Sequence, residues 1–263
     1  MPLVFASICP HPPIIIPSIG KENLKLVNKT KIAMEKLEEE FYASKPEMVV
    51  VISPHSPMMP EAFSLNMAES FSGNFQDFGD FTTKLEFRSD KEFSHKLKER
   101  CEDHNFPLIM YTNEQLDHGV LVPLYYLTKH TPNIPIVPIS FSLLDYQTHH
   151  NFGKIIMEQI QEINKRVAVV ASGDLSHRLT VSAPAGYSPQ GRIFDDKLVE
   201  LIKKNSVSPV LGLDQDLIEE AGECGLRSIV ILLGVLNRLK CKPQVFSYEG
   251  PFGVGYLVAN YKL

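Results

Sequence analysis

Short apolar runs alternate along the chain with stretches whose apolar residues recur every three or four positions. The runs are rich in β-branched residues, as in "MVVVIS" at 48–53 and "RVAVVA" at 166–171. Continuous apolar runs of this kind are typical of strands that are buried on both faces of a sheet. The predicted strands are 3–8, 48–53, 83–87, 107–112, 134–140, 166–171, 244–249 and 254–260.

The stretches between these runs have the spacing of amphipathic helices. In 22–43, for example, Val27, Met34 and Phe41 fall on one face. Strands separated by helices predict an α/β fold with a mostly parallel or mixed central sheet and helices on both faces. We expect a single domain over residues 1–263. The predicted helices are 22–43, 153–164, 192–204 and 226–239.

Two stretches do not fit either pattern. Residues 70–82 are rich in Gly and Phe, and we expect them to form an excursion over a functional site. Residues 178–191 are rich in Pro, Gly and Ser and predict a long irregular loop. Because long loops without regular structure are often active-site lids, we interpret 178–191 as a lid.

Composition and charge exclude several classes of function. The net charge is −5, and no basic segment interleaved with aromatic residues occurs, so we expect no nucleic-acid partner. The N-terminal apolar segment has no preceding Lys or Arg, unlike a secretory signal, and no apolar run approaches the ~18 residues of a membrane span. The four cysteines form no CxxC pair. We therefore predict a cytoplasmic protein with reduced thiols.

The nine histidines fall into two groups. Five have polar or helical surroundings and are predicted to lie at the solvated surface: His95, His104, His130, His149 and His150. The others lie at the end of a predicted strand or at the start of a helix: His11, His55, His118 and His177. Ligand sites in open α/β sheets form outside the carboxyl ends of the strands. The second group therefore predicts one shared site.

Prolines flank two histidines of the second group, His11 in "CPHPP" and His55 in "SPHSP". Proline stiffens the backbone, and rigid placement suits a metal ligand. Two imidazoles and one carboxylate form the facial arrangement of non-haem Fe(II) oxygenases, although the same set also binds catalytic zinc. Glu223 in "GECG", before the last helix, is the best candidate carboxylate. The strand-terminal Glu249 is the alternative carboxylate, and the neighbouring Cys224 fits a small buried residue.

These motifs occur in a recognisable order: "CPHPP", "SPHSP", "DHGVLVPL", "SGDLSH" and "ECG". In this respect the chain resembles, almost end to end, the class III extradiol ring-cleavage dioxygenases, the family of the protocatechuate 4,5-dioxygenase β subunit, and their Memo-like relatives. The resemblance implies His11, His55 and Glu223 as Fe(II) ligands, His177 as catalytic base, His118 as a second active-site histidine, and Asp174 as support for the His177 corner.

The third ligand separates the two branches of this resemblance. Ring-cleaving members have a glutamate there, whereas the Memo-like proteins have a cysteine. This chain has both residues side by side, Glu223 and Cys224. Both readings therefore stay open at the level of sequence.

The resemblance implies an oxidoreductase of aromatic compound catabolism that cleaves a catechol or 2-aminophenol ring beside its hydroxyls and inserts both atoms of O₂. Its partners would be a small aromatic diol or aminophenol and O₂, and the chain would form a homo-oligomer or pair with a second subunit. A Memo-like metal-binding or redox protein and a zinc hydrolase are the rival interpretations. The candidate substrate wall is Phe5, Phe78, Tyr187 and Phe252, with Arg178 as an anchor for a substrate carboxylate.

Overall fold

The eight predicted strands are all present in the computed structural model, which describes residues 2–263. Their ends shift by at most a few residues, and two short strands join them. The ten strands of the described residues are β1 (Leu3–Cys9), β2 (Met48–Ser53), β3 (Phe63–Asn66), β4 (Ser70–Phe75), β5 (Asp80–Arg88), β6 (Leu108–Tyr111), β7 (Ile136–Ser140), β8 (Val167–Ser172), β9 (Lys242–Glu249) and β10 (Tyr256–Lys262).

The helices between the strands include the four predicted ones. They are α1 (Pro17–Gly20), α2 (Asn28–Ser44), α3 (Lys91–Asp103), α4 (His118–Leu127), α5 (Tyr146–Glu162), α6 (Pro189–Lys203), α7 (Val207–Leu211), α8 (Gln215–Ala221) and α9 (Leu226–Val235). Across residues 2–263, no helix combines the length and the apolar character that crossing a bilayer would need.

Eight strands form the main sheet in the order β6-β3-β7-β2-β8-β1-β10-β9. The central strands β7, β2, β8 and β1 run parallel, whereas β3, β10 and β9 pair antiparallel with a neighbour. Strands β4 and β5 form a separate hairpin, so the segment 70–82, which fits neither pattern in the sequence, is largely regular strand. The sheet is therefore mixed, and the predicted α/β class is confirmed.

The central strands are buried on both faces because their side chains alternate between two cores. In β2, Val50 and Ile52 pack into the core that contains α5 and α9, whereas Val49 and Val51 pack into the core that contains α2 and α4. This explains why the strand is apolar at every position from Met48 to Ile52. It also confirms that helices cover both faces.

The prediction for two of the histidines was wrong. His149 is fully buried and His150 is 5% exposed, whereas His95, His104 and His130 are exposed as predicted. Helix α5 begins at Tyr146, not at 153, because Asp145 caps its N-terminus by accepting a hydrogen bond from Thr148 N. The additional residues at the start of the helix, 146–152, include both histidines.

Helices α5 and α9 approach closely at two glycines. A Cβ on Gly153 would lie 2.0 Å from the carbonyl oxygen of Ile231 and 2.7 Å from Cα of Gly234. Alanine is the better helix former, but here it would push two helices apart.

We expect Gly153→Ala to destabilise the protein by about 1–3 kcal/mol, the usual cost of overpacking a core. Urea unfolding followed by circular dichroism measures this change. Gly212→Ala is the matched control, because its Cβ would meet only the Ser208 carbonyl oxygen, at 3.6 Å. Equal stability of the two variants would contradict the close-packing explanation.

Candidate metal centre

Three of the four singled-out histidines follow neighbouring parallel strands. His11 follows β1, His177 follows β8 and His55 follows β2, and β8 lies between the other two. The strands end at the same level, since Cys9 pairs with Ser172 and Ile52 with Ala171. Helix α4, which begins at His118, packs against β2 and β8. The fold therefore brings these histidines to one edge of the sheet.

His11, His55 and His118 form a compact group whose ligand atoms all lie within 4.8 Å of one another. Nε2 of His11 is 3.0 Å from Nε2 of His55. The ring centroids of His55 and His118 are 4.2 Å apart, and those of His11 and His118 are 5.4 Å apart. Such a group can hold a metal ion.

Two residues at the end of β8 and just after it, Ser172 and Asp174, hold His11. Ser172 Oγ lies 2.9 Å from Nδ1 of the His11 ring. The Asp174 carboxylate accepts a hydrogen bond of 2.9 Å from the backbone N of His11, and its other oxygen lies 3.9 Å from His11 Nε2. Asp174 therefore contacts His11 directly, whereas the sequence predicted a supporting role at His177.

Asp117 organises the surroundings of His55. Its carboxylate accepts hydrogen bonds of 2.7 Å each from Ser53 Oγ and Ser56 Oγ, on either side of His55. The same carboxylate caps α4 by accepting from Val120 N at 3.1 Å. One side chain thus ties the loop of His55 to the helix that begins with His118.

The two adjacent candidates for the third ligand have different contacts. Cys224 Sγ lies 3.6 Å from His11 Nε2 and 3.3 Å from the backbone N of Asp174. The Glu223 carboxylate instead accepts a hydrogen bond of 2.5 Å from Leu226 N, at the start of α9. Glu249, the other alternative, accepts two bonds of 2.7 Å from Thr30 at the start of α2. Of the three, only the Cys224 thiol lies against a histidine of the group.

Two glycines allow the segment of Cys224 to reach the histidines. A Cβ on Gly173 would lie 2.1 Å from Cα of Gly225, so the backbones after β8 and before α9 cross in direct contact. At this crossing Cys224 N donates to the carbonyl oxygen of Asp174 at 3.3 Å. The glycines of "SGDLSH" and "ECG" are therefore required by the crossing.

The environment keeps the imidazoles neutral near pH 7. Burial lowers the pKa of His11 well below its usual value, and the neighbouring imidazoles lower it further. Burial, then the neighbouring His55, lowers the pKa of His118 to about 4. His55 lies at the exposed side of the group, where partial desolvation lowers its pKa and Asp117 opposes the shift. Neutral rings have a lone pair that can bind a metal or accept a proton.

His177 is held by its backbone beside this group. Its N donates to the Ala221 carbonyl oxygen at 3.1 Å, and the preceding Ser176 N donates to the Asp195 carboxylate at 2.8 Å. Burial, with a smaller contribution from His55, lowers the pKa of the His177 ring. After His177 the chain is irregular up to the start of α6 at Pro189, and Val181 is 87% exposed. A loop therefore borders His177 over residues 178–188, whereas the last three residues of the predicted loop, 189–191, form the first turn of α6, which Ser188 caps.

The predicted substrate wall is only partly assembled. Phe78, in the turn between β4 and β5, lies 5.3 Å from His118 between ring centroids. Phe5 instead packs edge-to-face against Phe41 of α2 in the core, so the prediction for Phe5 was wrong. The guanidinium of Arg178 pairs with Glu220 at 3.3 Å. This ion pair engages the guanidinium that was predicted to anchor a substrate carboxylate.

The donor set fits one transition-metal ion. Metal bonds of about 2.1 Å to each imidazole match two nitrogens 3.0 Å apart when the angle at the metal is about 90°. Imidazole and thiolate or carboxylate donors are the ligands that iron and zinc use in proteins. His11 and His55 would hold the ion, with His118 and Cys224 next to it.

The sequence does not mark Ser172 or Asp117 as site residues, although they lie within the motifs "SGDLSH" and "DHGVLVPL". Asp117 has a recognisable signal, because aspartate just before an apolar helix is a common N-cap. Ser172 has no such signal in the sequence, because its contact with His11 depends on the register of β8 against β1.

Comparisons with known proteins give a family match over nearly the whole chain. Residues 5–259 match the family described as the catalytic LigB subunit of aromatic ring-opening dioxygenase. Protein CA_C1420 of Clostridium acetobutylicum is 35% identical over 258 residues, which cover 95% of this chain and 55% of that protein. The 2-aminophenol 1,6-dioxygenase alpha subunit of a Pseudomonas species is 24% identical over the full length of both chains.

Memo-type proteins are also among the relatives. A MEMO1 family protein of Methanocaldococcus jannaschii is 28% identical over 61% of this chain and 54% of its own. The crystal structure of the uncharacterized protein JW3007 of Escherichia coli K12 shares the fold, with a TM-score of 0.71, 16% identity and coverage of 98% and 99% of the two chains. Because the family match extends over nearly the whole sequence, this chain belongs to the family of catalytic LigB subunits of aromatic ring-opening dioxygenases.

Proposed function

We propose that this single domain is a non-haem Fe(II)-dependent extradiol dioxygenase that cleaves a catechol- or aminophenol-type ring with O₂. The observation that carries this proposal is the convergence of His11, His55 and His118 at the carboxyl edge of the parallel strands. This convergence occurs in a chain of the ring-opening family. The 2-aminophenol dioxygenase relative supports the same substrate class.

Each histidine has a role in this proposal. When bound, Fe(II) supplies a centre where the two vicinal ring oxygens and O₂ can meet. His11 and His55 bind it, with a third donor from the Glu223–Cys224 pair. His177 accepts a proton from a substrate hydroxyl at a ring nitrogen, because its neutral imidazole is a competent base. His118 donates a hydrogen bond to an oxygen of the reactants, and Phe78 covers the aromatic ring.

Oxygen consumption tests the proposal directly. Protein purified without O₂ and loaded with Fe(II) should consume one O₂ for each catechol or 2-aminophenol ring that opens. Hydroquinone is the matched control, since its two hydroxyls are not vicinal and cannot chelate. Stoichiometric iron without oxygen uptake for any vicinal substrate would favour a Memo-like metal-binding or redox protein. Zinc in place of iron in the purified protein would favour a hydrolase.

The third ligand is tested by paired substitutions at two adjacent residues. The resemblance to ring-cleaving enzymes proposes Glu223, whereas the 3.6 Å contact with His11 favours Cys224. Because the proposed function is ring cleavage, we expect Glu223→Gln to weaken Fe(II) binding by more than about 10-fold and Cys224→Ala to change it less. The Glu223 carboxylate would then exchange its hydrogen bond from Leu226 N for the metal ion. Equilibrium dialysis under nitrogen measures both affinities. The reverse ranking would identify Cys224 as the ligand and favour a Memo-like protein.

A further inference from the structure

The two ring nitrogens of His11 have different partners. Nδ1 lies 2.9 Å from Ser172 Oγ, whereas Nε2 lies 3.0 Å from Nε2 of His55. A neutral imidazole carries its proton on only one of these nitrogens, and a metal ion can bind only the other. The tautomer of His11 therefore decides whether the nitrogen that faces His55 can act as a ligand.

The hydroxyl of Ser172 is already committed as a donor. It donates its single hydrogen to the backbone carbonyl oxygen of Gly119, at 2.5 Å. Toward His11 the same oxygen can therefore only accept, so the proton of the imidazole must be on Nδ1. Ser172 is fully buried, and His11 is 2% exposed. Water therefore has little access to Nδ1 as an alternative hydrogen-bond partner.

The opposite tautomer would be poorly accommodated. With the proton on Nε2, the lone pair of Nδ1 would face a hydroxyl oxygen whose hydrogen points to Gly119, and a buried acceptor would lose its partner. With the proton on Nδ1, the lone pair of Nε2 can accept a hydrogen bond from Nε2 of His55, 3.0 Å away, in the metal-free chain.

We propose that Ser172 is a positioning residue that keeps His11 in its Nδ1–H tautomer and so leaves Nε2 free to bind the metal ion. The chain of donors runs from His11 through Ser172 to the carbonyl oxygen of Gly119, next to His118. This inference rests on the proposed metal site for its purpose, but the tautomer itself is a property of the metal-free protein.

Nuclear magnetic resonance tests the tautomer without metal or substrate. Long-range ¹H–¹⁵N spectra of ¹⁵N-histidine-labelled, metal-free protein show which ring nitrogen carries the proton, and His11→Gln identifies the signal. We expect Nδ1–H for His11 in the unmodified chain. In Ser172→Ala we expect a shift toward Nε2–H and about 10- to 100-fold weaker binding of Co²⁺, the usual effect of losing a partner behind a histidine ligand.

Ser94→Ala is the matched control, since Ser94 is also fully buried and its hydroxyl donates to a backbone carbonyl oxygen, that of Asp90, at 3.0 Å. It should change neither the His11 signal nor Co²⁺ affinity. If Ser172→Ala does not fold, Ser172→Cys keeps nearly the same volume with a weak acceptor and should shift the tautomer in the same direction.

An Nε2–H tautomer in the unmodified metal-free chain would overturn the proposal. An unchanged tautomer and unchanged Co²⁺ affinity in the Ser172 variants would do the same. The failure of the proposed function looks different. In that case His11 shows Nδ1–H and responds to Ser172→Ala as expected, but the unmodified chain binds neither Co²⁺ nor Fe(II).

Discussion

Replacing either His11 or His55 with alanine should abolish stoichiometric Fe(II) binding and, with it, oxygen consumption. Their Nε2 atoms lie 3.0 Å apart, so each variant removes one of two donors that face the same point. We expect a loss of affinity of more than about 100-fold, because even the partners behind a histidine ligand change affinity by about 10- to 100-fold. Iron analysis after anaerobic reconstitution measures the effect.

The exposed His95 on α3 provides the control for this pair, and His95→Ala should keep its iron. Because His11 is buried, circular dichroism must first show that His11→Ala is folded. Unchanged iron content in folded His11 and His55 variants would contradict the proposed metal site.

Replacing His177 with alanine should have a different signature. The variant should keep its iron and still bind a catechol, while turnover falls by about 10²- to 10⁴-fold, the usual effect of losing a proton-transfer group. His177→Gln should do no better than alanine, since an amide does not accept a proton near neutral pH. Steady-state oxygen consumption gives turnover, and iron analysis of the same samples gives occupancy.

The result for His177 separates a base from a ligand. Loss of iron together with activity would make His177 a ligand and reopen the choice of the third donor. Turnover at the original rate would place the base elsewhere, with His118 as the next candidate. His104→Ala, at the exposed surface beside Glu158, is the control and should match the unmodified enzyme.

Much of the fold could be predicted because strands and helices leave local patterns of apolar residues in the sequence. The apolar run of β2 needs no partner to be recognised, since a strand buried on both faces is apolar throughout. The start of α5 was predicted at 153, too far along the chain, because it depends on the Asp145 cap and not on apolar spacing. His149 and His150 were therefore assigned to the surface, although both are buried.

The candidate site shows the same division. Sequence alone determined that His11, His55 and His177 follow strands, because strand ends can be read from the apolar runs that precede them. Only the tertiary structure decided their order, since strands β1, β8 and β2 are neighbours through pairings between residues far apart in the chain.

The orientation of side chains at the site was also decided by the tertiary structure. Adjacent residues point in different directions, and nothing local determines which of Glu223 and Cys224 faces His11. The contact of Gly173 with Gly225 decides it, by bringing Cys224 against Asp174. Likewise, the sequence predicted a strand that stops at residue 171, and the structure extends it by one residue, to Ser172. The register of β8 against β1 then placed its hydroxyl between His11 and Gly119, because hydrogen bonds between distant segments form only once the sheet is assembled.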